Sequence, residues 1–282
     1  IEAQVLEWRG LPLLEQIFPI VMNRVELAER LEEDALIELG REAVALQAIG
    51  LSAFDFVPPD YDLYEATIAT LSAAVAGYYE PATNELMVVS DGDVMTQEEQ
   101  LIYAHEFMHA LQDQHFQLEL VGGDTLNTDE RLAVRALGEG EAELIEFLYE
   151  AQGFLTGEEL GEGELLYETP EFAGAYDFLI NDFNFPYTRG YDFVAYLYQE
   201  GGFAAVTAAW ETLPQSTEQI LHPEKYLAGD APQTVIVPEL EGVLGDSWVL
   251  AEGDVLGEFY LREYLALQMD SQTAATAAGG WG

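Results

Sequence analysis

The sequence predicts an α+β fold, mainly helical, with a small β-sheet or hairpin beside one central helix. Three observations carry that expectation. Apolar positions recur at helical spacing through most of the chain, capping-box start signals precede two of the periodic runs, and one stretch has the form of a hairpin.

In chain order, the first third reads as helices. "NRVE" (Asn23 to Glu26) has capping-box spacing, and Leu27, Leu31, Ala35 and Leu39 continue it as an apolar stripe. Gly40 and Gly50 punctuate two helical segments, "FVPPDYD" is a loop, and a further helix is expected over 62–76. "GYYEPATNELMVVSD" then reads as strand, turn and strand. Thr96 and Glu99 start a helix that should reach Gln117, and after the loop "VGGDTLNTD" a second long helix is expected from Asp129 to Gln152. A Gly- and Glu-rich loop around 157–163 ends it. Two aromatic-rich helices flank Gly201-Gly202, Ser216 and Gln219 cap a short helix, and "TVIVPEL" reads as one more strand.

With 49% hydrophobic residues over 282 positions, the chain can bury a large core. The expected organisation is a helical section, 1–76, packed on a core over 77–282, the two forming one continuous body. The absence of cysteine excludes disulfides, iron–sulfur clusters, thiolate zinc sites and cysteine nucleophiles. Fifty-three acidic residues against nine basic ones give a formal charge of −44, which repels nucleic acids and anionic lipids and favours cations and basic peptides. The longest charge-free apolar run near the middle, Ala66 to Tyr79, falls short of the ~20 residues a membrane span needs. A start at Ile1, with neither initiator Met nor basic-apolar leader, fits removal of a signal or lipoprotein leader and an extracytoplasmic location, secreted or lipid-anchored.

Three of the four histidines fall within "YAHEFMHALQDQHF", residues 103–116. His105, Glu106 and His109 form H-E-x-x-H. On a helix, positions four apart share one face, so both imidazoles can hold one cation while Glu106, rotated by about 100°, reaches its open position as general base. In a chain of this composition the pattern arises by chance about 0.006 times. His115 lies about 80° round the helix from His105 and is read as a structural histidine. A catalytic zinc site needs a third protein ligand, here a carboxylate or the distant His222. "ALGEGEAELIEF" offers Glu139 as ligand, with Glu143 one turn on to accept a hydrogen bond from a ligand imidazole. Glu146 and Glu150 continue the same acidic stripe, which a solvated helix face would also show. Gly140 costs about 1 kcal/mol mid-helix relative to Ala and makes sense where another helix approaches closely.

These motifs resemble the gluzincins, the thermolysin-like clan of zinc metallopeptidases. The chain is more closely similar to a group of bacterial and archaeal metallopeptidase-like proteins that carry a "GYY-P" hairpin, "HExxHALQDQHF", "EGxA" and "STEQ[IV]LHPEKY". Here these stand as "GYYEP" (77–81), "HEFMHALQDQHF" (105–116), "EGEA" (139–142) and "STEQILHPEKY" (216–226), and "WRGL" (8–11) fits the start of the group. The resemblance implies a gluzincin-like fold, zinc held by His105, His109 and Glu139, and Glu106 as base in peptide-bond hydrolysis. In thermolysin-like enzymes a later His or Tyr stabilises the oxyanion, which points first to His222 and then to Tyr226. Members continue past a "GWGGD" segment, so the chain, ending at "GGWG", is expected to lack part of a C-terminal region. Two other functions remain open at this level: a non-catalytic metal-bound platform, against which the retention of Glu106 argues, and a zinc hydrolase acting on a non-peptide bond.

Overall fold

The computed structural model describes residues 1–27, 29–30, 40–74, 76–90, 92, 94–118, 126–151, 176–236, 241–245, 247–248 and 253–281. The described part is mainly helical with one three-stranded sheet. Helix α1 covers Glu2–Arg9, β1 Phe18–Met22, α2 Arg41–Ala53, α3 Leu63–Ala74, β2 Gly77–Glu80 and β3 Glu85–Val89. Helix α4 follows at Gln97–Phe116, α5 at Thr128–Tyr149, α6 at Asp177–Glu211, α7 at Thr217–Leu221 and α8 at Pro223–Ala228. Helices α9 (Glu241–Leu244), α10 (Gly257–Ala266) and α11 (Ser271–Ala278) complete the order.

Local chemistry sets most boundaries. Both reciprocal bonds of the capping box form at Thr96 and Glu99, and Gln117 ends α4 in the left-handed conformation at φ 56°. Asn127 and Glu130 make a second capping box at α5, and Asn23 and Glu26 bond each other's backbone N–H groups as "NRVE" predicts. Leu27 is buried, whereas Leu31, Ala35 and Leu39 lie outside the described residues. Asp62 caps α3 by accepting from the Glu65 N–H at 3.1 Å. The hairpin forms, with Gly77 opposite Val88 and Glu80 opposite Glu85. Within α6 the path kinks at Gly201 and Gly202, the second at φ 64°, so the aromatic-rich segments are two helical arms joined there. Ser216 accepts from the Gln219 N–H at the start of α7.

Three expectations are corrected. The N-terminal section is not purely helical, because Phe18–Met22 pairs in parallel with β3 and gives the sheet order β1-β3-β2. The segment is only five residues long and carries Pro19, which a strand accepts at a sheet edge where its missing N–H is not needed. Gly50 does not end a helix but lies inside α2, whereas Gly40 is its N-cap. Thr234 to Ile236 form no strand, and Val235 and Ile236 stand 81% and 88% exposed, without a partner among the described residues that would turn apolar propensity into a ladder. The rest of that segment, 237–240, and the 157–163 loop lie outside the described residues.

Two apolar clusters meet on α5. Val5, Tyr79, Leu86, Phe107, Met108 and Leu111 pack with Ala142 and Ile145 on one side. On the other, Leu132, Ala136, Leu137 and Leu144 pack with α2, α6, α7 and α10. Residues 1–76 contribute to both clusters through Val5, Val44 and Leu51. Helix α6 crosses α5 at a glycine pair. A Cβ on Gly140 would overlap the Gly190 carbonyl and reach 2.7 Å from the Tyr191 nitrogen, and a Cβ on Gly190 would overlap the Ala136 carbonyl. Because both obstructions are backbone, neither can swing aside.

Asp129 ties three helix starts together. Its Oδ1 accepts from the Thr217 N–H at 2.8 Å and the Thr217 hydroxyl at 2.6 Å, its own N–H donates to the Val255 carbonyl, and Gly257 leaves no space for a Cβ against it. Its Oδ2 is buried with no hydrogen-bond partner among the described residues. Burial pushes this carboxyl up to about 6, against the pull of the Thr217 hydrogen bonds.

Two outcomes follow from the fold. Gly140→Ala gains about 1 kcal/mol of helix propensity but loses more to backbone overlap, so urea unfolding should show a lower midpoint at unchanged slope, with a net loss of about 1–3 kcal/mol. For Asp129, the folded chain binds the proton more tightly than the unfolded one. Its contribution is therefore full below pH ~4 and is lost as pH rises through 6, about 3 kcal/mol in all. Asp129→Asn should remove that component, seen as a smaller difference between unfolding free energies measured at pH 4 and pH 7.

Candidate metal centre

Helices α4 and α5 run antiparallel, as their cross-helix hydrogen bonds require: Gln112 meets Gly138, His109 meets Glu139, and His105 meets Glu146. The Glu139 Oε2 lies 3.2 Å from His105 Nε2 and 3.2 Å from His109 Nε2. All three side chains are largely buried, and the two imidazole rings are 4.7 Å apart at 76°.

The rings' other nitrogens decide what these contacts are. His105 Nδ1 lies 2.7 Å from Glu146 Oε1, and His109 Nδ1 lies 2.9 Å from Gln112 Oε1. A carboxylate and an amide oxygen both accept, so in the neutral rings each Nδ1 carries the proton and each Nε2 presents a lone pair. Two lone pairs and a carboxylate oxygen then converge with no proton among them, a set that either a cation or added protons must reconcile. The 3.2 Å separations exceed the 2.7–2.9 Å of a charge-assisted hydrogen bond but match the ligand–ligand edge of about 3.3 Å in a tetrahedron with 2.0–2.1 Å bonds. The donor set fits zinc.

Electrostatics agree in direction. Burial pulls the His105 ring toward neutrality, but Glu139 and Glu146 overcome it and raise its pKa well above the usual value, and His109 shifts up in the same sense. Burial alone would raise Glu139, yet the two imidazoles hold its carboxyl well below the ordinary range. A cation in place of the shared protons would satisfy the same groups.

Glu106 is 9% exposed and lies beside β2, where a Cβ on Gly77 would come within 2.9 Å of its Cγ. That glycine lets the strand approach the Ile102 and Glu106 side chains closely. Burial raises the Glu106 pKa, opposed by the two imidazoles.

His105, His109, Glu139 and Glu106 come together on α4 and α5. His115 faces elsewhere and bonds the Pro12 carbonyl at 2.8 Å. Glu143 does not hold the imidazole: its Oε1 is 3.9 Å from His105 Nδ1, and Glu146 takes that position. At 100° per residue, Glu143 is about 40° round α5 from Glu139 and Glu146 only about 20°; in an antiparallel pair, the earlier histidine meets the later carboxylate. Glu143 is also the poorer acceptor, pushed up to about 7 by burial and by the Glu146 charge. His222 stays apart: its Nε2 meets Glu258 at 3.0 Å and its Nδ1 is 4.0 Å from Glu224, neither of them in the cluster. The Tyr226 hydroxyl is spent on the Thr212 carbonyl, 2.7 Å away.

Tyr187 and Arg135 are the residues that sequence reasoning missed. The Tyr187 ring, from α6, stacks on His105 at 6.2 Å and 26°. Arg135, one turn before Glu139, lies 3.7 Å from Glu139 Oε1, with its guanidinium carbon 6.0 Å from the centroid of the Tyr187 phenol ring. Burial and the Glu139 charge push that phenol's pKa up, so it stays a donor. Arg135 was findable at i−4 from Glu139, whereas Tyr187 required the α5–α6 crossing.

The chain matches no protein-family model, no curated protein and no solved structure. The arrangement of its own residues carries the functional reading.

Glu146→Gln should weaken zinc binding by about 10–100-fold in chelator competition, because an amide can turn its NH2 toward the ring. Glu143→Gln should leave affinity close to wild type, and the reverse order would return the orienting role to Glu143.

Proposed function

We propose that the chain is a zinc-dependent metallopeptidase of the gluzincin type, hydrolysing peptide bonds with Glu106 as general base. The observation that carries this reading is the convergence of His105 Nε2, His109 Nε2 and Glu139 Oε2 beside the buried carboxylate of Glu106, on the helix of the two histidines. A purely structural metal site has no use for Glu106.

When bound, zinc would polarise the scissile carbonyl and lower the pKa of water toward ~7. Glu106 takes the proton from the attacking water and passes it to the leaving amine; its raised pKa places it closer to neutrality, where such a shuttle works best. The Tyr187 phenol, held protonated beside Arg135, donates to the oxygen on which negative charge develops. Glu146 and Gln112 fix the tautomers of the two imidazoles.

The sheet supplies a place for an extended chain. β2 is an edge strand, and among the described residues nothing in the sheet pairs with its outer side. Its Gly77 lies against Glu106, so a peptide added to that edge would pass the general base. The acidic surface favours neutral and basic peptides over acidic ones. Among the described residues no helix is long and apolar enough to cross a membrane.

A mixed peptide library incubated with the zinc-loaded protein tests the reading. Wild type should bind one zinc per chain and cleave, Glu106→Gln should keep the zinc and lose cleavage, and Tyr187→Phe should keep the zinc and lower kcat by about 10²–10³-fold. Zinc bound with no cleavage by wild type would favour a metal-bound platform. Cleavage confined to ester or other non-peptide substrates would assign the site to a different hydrolase.

A further inference from the structure

Helix α1 reaches the candidate metal centre through an unbroken buried chain of polar side chains. Gln112, one turn after His109 on α4, is fully buried. Its Nε2 donates to the Gly138 carbonyl at 2.9 Å and to Glu141 Oε2 at 3.0 Å. Both partners only accept, so the amide has one satisfiable orientation, with Oε1 turned to His109 Nδ1 at 2.9 Å. Flipping it would set two buried acceptors against an oxygen and aim the NH2 at the ring nitrogen.

Glu141 makes that orientation one-sided. It follows Glu139 by two residues on α5, so one helical turn sends a ligand carboxylate to one face and a supporting carboxylate to the other. Its side chain is 0% exposed, and a charge buried that deeply needs direct compensation. Trp210 Nε1 donates to its Oε2 at 2.7 Å, and the Arg9 guanidinium pairs with its Oε1. Arg9 ends α1, is 4% exposed, donates to the Thr207 hydroxyl at 2.9 Å and lies over the Phe203 ring at 5.2 Å. In a chain with nine basic residues, one is thus placed in the core, three hydrogen bonds from the imidazole.

We infer that Arg9, Glu141 and Gln112 form a positioning relay that fixes the ring of His109 for cation binding, and so couples the N-terminal helix to metal affinity. The inference rests on the zinc reading above. It also accounts for residues in "WRGL", "HALQDQHF" and "EGEA" that the catalytic roles leave unused. The two ligand histidines differ as a result: His105 is backed by a partly exposed carboxylate, His109 by a dry neutral amide that cannot take its proton.

Zinc affinity, read by chelator competition on folded protein, tests the relay. Gln112→Met keeps the bulk and removes the acceptor, and should weaken binding by about 10–100-fold with unchanged far-UV circular dichroism. Arg9→Met should weaken it as well, and Arg9→Lys should restore part of the loss. Asp129→Asn, a buried polar change outside the relay, should leave affinity at the wild-type value. In the zinc-loaded wild type, long-range ¹H–¹⁵N spectra should show a slowly exchanging proton on His109 Nδ1. This reading needs no variant to fold. Wild-type affinity in Gln112→Met, an equal loss in Asp129→Asn, or an unprotonated Nδ1 would overturn the relay while leaving the zinc reading in place. Failure of the wild type to bind zinc would overturn both.

Discussion

Two imidazole lone pairs and one carboxylate oxygen meet across the α4–α5 pair, the oxygen 3.2 Å from each ring nitrogen. That convergence sets the demands on the rest of the structure. The helices must run antiparallel in one register, the rings must keep their Nδ1–H tautomers, and Glu106 must be clear to face the open position. The capping boxes at Thr96 and Asn127 fix where both helices begin, and the glycine contact at 140 and 190 fixes how closely α6 covers α5. α6 then brings Tyr187 over His105. A shift of one residue in the α4–α5 register would rotate Glu139 by about 100° and separate the three donors.

The polar groups around this centre are handled in two ways. At its mouth Glu143, Glu146 and Arg135 are partly exposed and lie 3.9 Å and 2.7 Å from His105 and 3.7 Å from Glu139, respectively. Beneath it Arg9, Glu141, Gln112 and Trp210 are almost wholly buried and satisfied by one another, apart from one Arg9 guanidinium nitrogen. Buried ion pairs give little net stability, because desolvation cancels most of the attraction; what they supply is a single allowed arrangement. That suits a layer whose task is to hold a ring in place. Under the proposed function the mouth, in contrast, exchanges ligand and proton.

Features that depend on near neighbours in sequence were legible. The H-E-x-x-H pair, the capping boxes at Asn23 and Thr96, the hairpin and the Gly201-Gly202 kink all follow from spacings within one or two turns. Gly140 was read as a close helix approach because its local cost needed a tertiary reason, and Gly190 supplies it. Features that depend on which elements become neighbours were not legible. β1 is a strand because β3 offers it an edge, and Glu146 rather than Glu143 meets His105 because the helices are antiparallel. Tyr187 enters through α6, forty-eight residues after Glu139, with no periodicity to mark it. The resemblance points to His222 for the oxyanion, yet His222 joins α7 to α8 and bonds Glu258.

The central claim concerns a coordination shell, and X-ray absorption at the zinc edge reads that shell directly. On protein loaded with one equivalent of zinc, the account predicts two imidazole nitrogens and one carboxylate oxygen at about 2.0–2.2 Å, with a further light atom from solvent. A spectrum without imidazole scattering, or zinc held only by six oxygens at longer range, would place the metal elsewhere on the acidic surface and contradict the account.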